Sequence, residues 1–435
     1  MTICRIWAII KKKKGRDTMN EQLRRDAEAI VRSAVAAVLP DRAVERALQG
    51  IEFPGRVFLV AAGKAAWQMS RAAVDCLRRP LDGGVCVTKY GHVPGAIEGV
   101  ECIEAGHPVP DENSFRGAER ILELTKDLRE TDTVLFLLSG GGSALFEKPL
   151  IDGEELQAIT NRLLACGADI VKINTIRKRL SAVKGGKFAA WCYPARIEAV
   201  VLSDILGDPL DMIASGPAAA DSSTCAQALT VAEECGLELS EKAWECLNTE
   251  TPKVLSNVRT QIIGSVRQLC AAAEVQCRAL GYETVVLTDL LSCEAREAGR
   301  FLAAILRSHA GSGKKLAFLA GGETVVHLTG RGKGGRNQEI ALGAAELLSG
   351  LPACVISIGS DGTDGPTDAA GGYCDGDTLL ELEGKGIHLS EVLKDNDTYY
   401  ALKAINGLIF TGPTGTNVND VTVGLIWPEA MEKVP

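Results

Sequence analysis

Positive charge is in short supply in this chain of 435 residues, where 47 lysines and arginines face 56 aspartates and glutamates and the formal net charge is −9. Binders of nucleic acid show a basic patch or stripe, so that class of partner is set aside. Membrane-length apolar runs are also missing. Residues 3–10 are apolar but fall far short of the roughly 20 residues a spanning helix needs. The lysines at 11–14 follow that stretch, whereas a signal peptide carries its basic residues first. Neither a membrane nor export is expected, and the expected location is cytoplasmic. No two of the 14 cysteines have Cys-x-x-Cys spacing, which argues against zinc and leaves reduced, mostly buried thiols as the expectation. The phosphate loop Gly-x-x-x-x-Gly-Lys is absent. No dinucleotide fingerprint follows the first apolar strand, and on that ground a nicotinamide reductase is set aside. Gly140-Gly141-Gly142-Ser143-Ala144 is not Gly-x-Ser-x-Gly, and His92 and His107 lie in glycine- and proline-flanked loops, so a hydrolase triad has no support.

What is abundant is glycine, 46 residues, gathered in a few loops. Clustered glycine lets backbone amides close on a ligand. The length suits two or three domains. Residues 1–18 read as a disordered extension or a mis-called start, because Met19 opens an amphipathic helix of its own. Apolar strands are expected at 56–62, 84–88, 133–138, 198–202, 284–287, 315–320 and 353–358, alternating with helices that include 65–77, 261–280, 294–308 and 337–348. This alternation predicts an α/β protein of two domains, each a mostly parallel sheet flanked by helices. The polar stretch 248–256 marks the boundary, giving domains 19–250 and 251–435. Ligands of such sheets sit beyond the carboxyl ends of the strands, where the glycine-rich motifs fall.

Ser139-Gly140-Gly141-Gly142-Ser143 follows one of those strands and has the composition of an anion nest for a nucleotide phosphate or a substrate carboxylate. Gly63-Lys64 stands at another strand-to-helix turn, where an ammonium either is solvated or meets an anion. The loop 359–371 (GSDGTDGPTDAAG) carries Asp361, Asp364 and Asp368, carboxylates of the kind that hold Mg²⁺ together with substrate phosphates. Asp204 and Asp208 follow another strand and are candidates for a base and a metal ligand. The loop 330–338 (GRGKGGRNQ) brings Lys333 and Arg336 among glycines, as cations for a charge-rich transition state. Thr414, Thr416 and Asn417 add hydroxyls and an amide for a hydroxylated substrate or a nucleotide.

Taken in order, the stretches GKAAWQM, AGHPVPDENS, SGGGSAL, INTIRKRLSAVKGGK, VLSDILGDPLDMIASGP, GGETVV, GRGKGGRNQE, SDGTDGPTDAAGG, LKDNDTYYAL and GPTGTNVND resemble the class II glycerate 2-kinase family, whose C-terminal part carries the MOFRL region, here about 315–425. The resemblance spans nearly the whole chain from Met19. It implies ATP-dependent phosphorylation of D-glycerate to 2-phosphoglycerate with a divalent metal such as Mg²⁺, at an active site in the cleft between two α/β domains. It also implies that Lys64 and Arg336 are the catalytic cations. Some members are labelled hydroxypyruvate reductase, which keeps an NAD(P)H-dependent reductase as the alternative. A non-catalytic sugar-phosphate binder is the third reading. A homo-oligomer is left open.

Overall fold

A computed structural model describes residues 19–428; the expectation for residues 1–18 lies outside them. The chain divides into two compact units. One is contiguous, residues 40–263, and the other joins residues up to 39 with those from 264 onward. The expected division at 250 therefore moves, for two reasons. The helix Met19–Ala37 buries Leu23, Ala27, Ile30 and Val31 against elements of the second unit, whereas it was expected in the first. In addition, residues 258–264 form a strand of the first sheet, where the sequence predicts the start of a helix.

In the contiguous unit the strands are β1 (Val57–Ala62), β2 (Gly83–Lys89), β3 (Glu101–Ala105), β4 (Thr133–Leu138), β5 (Arg196–Leu202) and β6 (Val258–Gly264), in the order β3-β2-β1-β4-β5-β6. Pairings β1–β2, β2–β3, β1–β4 and β4–β5 are parallel. Every residue of β1 and β4 is buried, which is why both read as unbroken apolar runs rather than alternating ones. Phe136, Phe146 and Phe188 meet with ring centroids 5.2–6.0 Å apart and fill one side of the sheet. The strand order runs outward in both directions from the neighbouring pair β1 and β4. A parallel sheet opens a crevice at such a reversal, beyond the carboxyl ends of the two strands. Gly63-Lys64 and Ser139–Gly142 are the residues at those two ends.

Four helices, Gly153–Ala165, Ile170–Leu180, Cys225–Glu234 and Glu241–Leu247, enclose a separate small core in the same unit. Cys166 and Cys235 are joined there as a disulfide with Cα atoms 5.6 Å apart, which corrects the expectation of thiols throughout. Beside this core a buried ion network replaces apolar packing. Lys178 Nζ donates to Asp221 at 3.0 Å and to Asp211 at 3.1 Å, and Arg179 Nη1 lies 3.6 Å from Asp221. Burial would raise the Asp221 carboxyl. Hydrogen bonds from the Ser223 amide, Thr251 and Lys178 outweigh it and bring it down to about 2. Stability from this group is thus fully present above pH 3.8 and is lost as pH falls through about 2. Replacing Asp221 with asparagine leaves two buried cations short of an anion, and is expected to cost about 3–5 kcal/mol in urea unfolding. The acid limb of the stability curve between pH 4 and pH 2 should flatten in the variant.

The second sheet comprises β7 (Glu283–Leu291), β8 (Leu316–Gly322), β9 (Ala353–Gly359), β10 (Gly371–Asp375), β11 (Leu408–Ile409) and β12 (Asp420–Ile426), in the order β11-β10-β9-β12-β8-β7. Only β7–β8 pairs in parallel; β12 runs antiparallel to both β8 and β9, and β10 antiparallel to β9 and β11. The α/β class holds, but this sheet is mixed where a mostly parallel one was expected. The main cause is β12, a late strand that enters antiparallel between β8 and β9. Helices Ala295–Ser308 and Arg336–Leu348 cover one face. They approach so closely that a Cβ on Gly299 would sit 2.0 Å from the Ile340 carbonyl oxygen.

Candidate active site

At the β1/β4 crevice the backbone is pinned from two directions. Lys64 N donates to the Gly140 carbonyl at 2.8 Å, and Ala65 N donates to Ser139 Oγ at 3.0 Å. Ser139 is buried and serves this lock rather than facing a ligand. Gly63 has φ +130°, and a Cβ there would lie 2.2 Å from Ser139 Oγ, so only glycine fits. Gly141 has φ +86°; a Cβ on it would meet His107 Cδ2 at 2.9 Å and Lys64 Cγ at 3.3 Å. The imidazole and the lysine stem therefore lie over the middle of the glycine turn. A Cβ on Gly140 would meet Asp204 Oδ2 at 2.1 Å, which puts that carboxylate against the same turn, and one on Gly142 would meet Ala214. Ser143 Oγ lies 3.1 Å from Ser215 Oγ.

The structure thus brings Lys64, Ser139, Gly140, Gly141, Gly142, Ser143 and Asp204 together, as the sequence suggested. Among the described residues no carboxylate is ion-paired with Lys64. His92 Nδ1 is 3.1 Å from the Lys64 carbonyl oxygen. Burial and the charges of Lys64, Lys89 and His92 hold His107 below the usual imidazole range. In the sequence His107 was weighed only for a hydrolase triad and given no site role. Asp208, in the loop after β5, has φ +54°, and its Oδ1 is buried with no hydrogen-bond partner.

In the other unit Arg336 opens its helix half-buried. Its Nε and Nη2 donate to Asp420 at 2.6 and 3.0 Å and its Nη1 to Glu323 at 2.8 Å. Burial raises the Asp420 carboxyl to about 6 even with Arg336 on it. Burial works against the guanidinium's charge, yet the Asp420 bond raises it overall. Asp420 and Glu323 were not singled out in the sequence.

The acidic loop does not form a metal cage. Asp364 is buried and accepts from the amides of Asn337 and Gln338 at 3.1 and 2.9 Å and from Asn337 Nδ2 at 3.3 Å. It tethers the first turn of the Arg336 helix, and both its oxygens are occupied. Asp368 accepts from Tyr399 at 2.7 Å, and Asp361 Oδ1 accepts from the Thr363 amide at 2.9 Å. Among the described residues no three His, Cys, Asp or Glu are grouped to hold a metal ion. Lys333 Nζ rests over the Tyr399 ring, 4.4 Å from its centroid. Thr414 Oγ1 donates to the Ser360 carbonyl at 2.6 Å and Thr416 Oγ1 to the Val38 carbonyl at 3.0 Å, so these hydroxyls hold backbone, while Asn417 is half-buried beside them.

Gly330, Gly332 and Gly335 do have Gly-x-Gly-x-x-Gly spacing, a correction to the sequence reading. The loop cannot work as that fingerprint. Seven residues separate it from β8, and its amides are already taken: Gly330 N by Asn396 Oδ1, Arg331 N by Asp395 Oδ1 and Lys333 N by Asp397 Oδ1, each at 3.0 Å. Carboxylates stand where a pyrophosphate would have to bind.

The contiguous unit is an α/β domain whose parallel sheet carries Lys64 over a glycine turn at its switch point. Residues 26–248 match a domain of unknown function, DUF4147, and residues 316–420 match the MOFRL family. A D-glycerate 2-kinase of Thermotoga maritima is 52% identical over 93% of this chain and 99% of its own. A relative from Agrobacterium vitis, 40% identical over 91% of this chain and 92% of its own, carries the name hydroxypyruvate reductase as a provisional assignment. A crystal structure of glycerate kinase from Thermotoga maritima superposes with a TM-score of 0.90 at 51% identity, covering 94% of this chain and all of that one. The chain belongs to the glycerate kinase family built from the DUF4147 and MOFRL domains. Among the described residues no helix is long and apolar enough to cross a membrane.

Proposed function

We propose that the chain is an ATP-dependent glycerate 2-kinase, transferring the γ-phosphoryl group of ATP to the 2-hydroxyl of D-glycerate and releasing ADP and 2-phosphoglycerate. The observation that carries this reading is Lys64, whose ammonium has no carboxylate partner among the described residues and whose stem lies over the glycine turn at the switch point. Phosphoryl transfer needs positioning and compensation of charge more than covalent help. Lys64 provides the compensation at the turn, and Arg336 is the second cation the family implies. Asp204, whose carboxylate lies against Gly140, would take the proton of the attacking hydroxyl.

The donors fit a hard cation at one loop. Asp208 Oδ1 is a buried oxygen with no hydrogen-bond partner, four residues after Asp204, and Mg²⁺ is held by one or two carboxylates plus substrate phosphates. Asp208 together with substrate phosphates would hold it, and the ion when bound neutralises phosphate charge. Asp361, Asp364 and Asp368 are tied to other partners and suit this task less well.

The reductase reading lacks a dinucleotide fingerprint with free amides, since those of the 330–335 loop are taken. The two separate in parallel assays, one with D-glycerate, ATP and Mg²⁺ and the other with hydroxypyruvate and NADH or NADPH. Turnover is expected only in the first, with phosphorus NMR reporting the 2-phosphate. NADH oxidation without ADP formation would defeat the proposal, and exclusive 3-phosphate would defeat its regiochemistry.

A further inference from the structure

The segment 173–187 (INTIRKRLSAVKGGK) is dense in cations, and the contiguous unit fastens nearly all of them. Lys178 is held by Asp211 and Asp221, and Arg179 by Ser223 and Glu250. Lys184 donates to the carbonyls of Ser143 and Phe146, and Lys187 to those of Arg179 and Ser181. Arg177 is the exception. It is half-buried, its Nε is shielded from solvent without a hydrogen-bond partner, and no carboxylate among the described residues pairs with its guanidinium. A guanidinium drawn out of water with no anion beside it is costly, and a bound anion would remove that cost.

Two separate threads place Arg177 beside the glycine turn. Along the helix Ile170–Leu180 it shares a face with Asn174, three residues earlier. Asn174 Oδ1 accepts from Ser215 Oγ at 2.8 Å, and Ser215 Oγ is 3.1 Å from Ser143 Oγ, at the end of the turn. The second thread is Lys184. It lies near enough to Arg177 for their charges to repel, and it donates to the Ser143 carbonyl at 2.8 Å.

We infer that Arg177 binds the carboxylate of the acceptor, and so makes the enzyme select a hydroxy acid over a neutral polyol. The inference rests on the kinase reading, in which the acceptor's one charged group is its carboxylate. A guanidinium presents two parallel N–H groups that match a carboxylate in a way an ammonium cannot. With the carboxylate at Arg177, Lys64 over the middle of the turn is left for the phosphoryl group.

The test uses the full chain with Arg177→Ala and Arg177→Lys, the second keeping charge and bulk without the fork. Steady-state kinetics vary D-glycerate and ATP separately, and calorimetry measures D-glycerate binding without nucleotide. Thermal melts control for folding. Arg177→Ala should raise the KM for glycerate on the order of 100-fold, the loss expected when one partner of a charged pair is truncated. The KM for ATP should stay unchanged, and Arg177→Lys should fall between alanine and wild type. Wild type should prefer glycerate to its neutral amide, and Arg177→Ala should lose that preference. An unchanged KM for glycerate in both folded variants, or a rise in the KM for ATP instead, overturns the inference. If wild type binds glycerate in the calorimeter but never turns it over with ATP, the kinase reading fails while the Arg177 comparison can still be made by binding.

Discussion

Lys64→Ala is expected to lower kcat for glycerate phosphorylation by on the order of 100-fold or more, comparable to deleting one donor of an oxyanion hole. The fold should be untouched. Among the described residues no carboxylate pairs with the Lys64 ammonium, and the contacts that shape its turn use no atom of its side chain: Lys64 N to Gly140 O and Ala65 N to Ser139 Oγ. Both survive truncation of the side chain. Activity and stability should therefore come apart, with urea midpoints unchanged within error beside a collapsed kcat. A variant that keeps near-full kcat would remove Lys64 from the chemistry.

Arg336→Ala should behave differently. Asp420 is buried, and burial already raises its carboxyl to about 6 with the guanidinium in place. A carboxyl raised on folding favours the native state while it is protonated, below its unfolded value of 3.8, and that advantage is lost as pH rises through about 6. At neutral pH the ionised group leans on Arg336. Removing the arginine leaves a buried carboxylate without its counter-ion, expected to cost about 3–5 kcal/mol, on top of a loss in kcat on the order of 100-fold. Its bonds to Asp420 thus give Arg336 a structural part as well. Adding Asp420→Asn to Arg336→Ala should return most of the stability and none of the activity. If Arg336→Ala melts like wild type at pH 7.5, the ion pair has little structural weight. If the double variant regains turnover, Arg336 acts only through the fold.

The elements legible in the sequence were those with a strong local signature. Strands β1 and β4 are unbroken apolar runs between glycines, and Lys64, the triple glycine and Asp204 stand at strand ends. What stayed hidden depends on partners far along the chain. Thr416 and Asp364 look like ligand contacts by composition, yet one holds the Val38 carbonyl and the other two helix amides. Asp420 gains its meaning from Arg336, 84 residues earlier. The cations of 173–187 look alike in sequence, and only their pairing separates Arg177 from Lys178 and Arg179. Residues 261–264 were read as helix because the apolar pattern continues into the helix Val266–Ala279; a place beside β5 makes them strand.

The place of β12 also sets an order on synthesis. The contiguous unit is complete once β6 has left the ribosome and can close while translation continues. The other unit has its first helix in hand from the start, but it waits for residues 420–426. At roughly 5–20 residues per second, the 162 residues that follow Gly264 up to Ile426 take about 8–32 s. From the time each is made until residues 420–426 follow, β8 and β9 each present an unpaired edge, because the strand that joins them has not been made. A stop codon just short of 420 would therefore not trim a margin. It would leave β11-β10-β9 and β8-β7 as two unconnected half-sheets, each with an open edge ready to pair with another nascent chain.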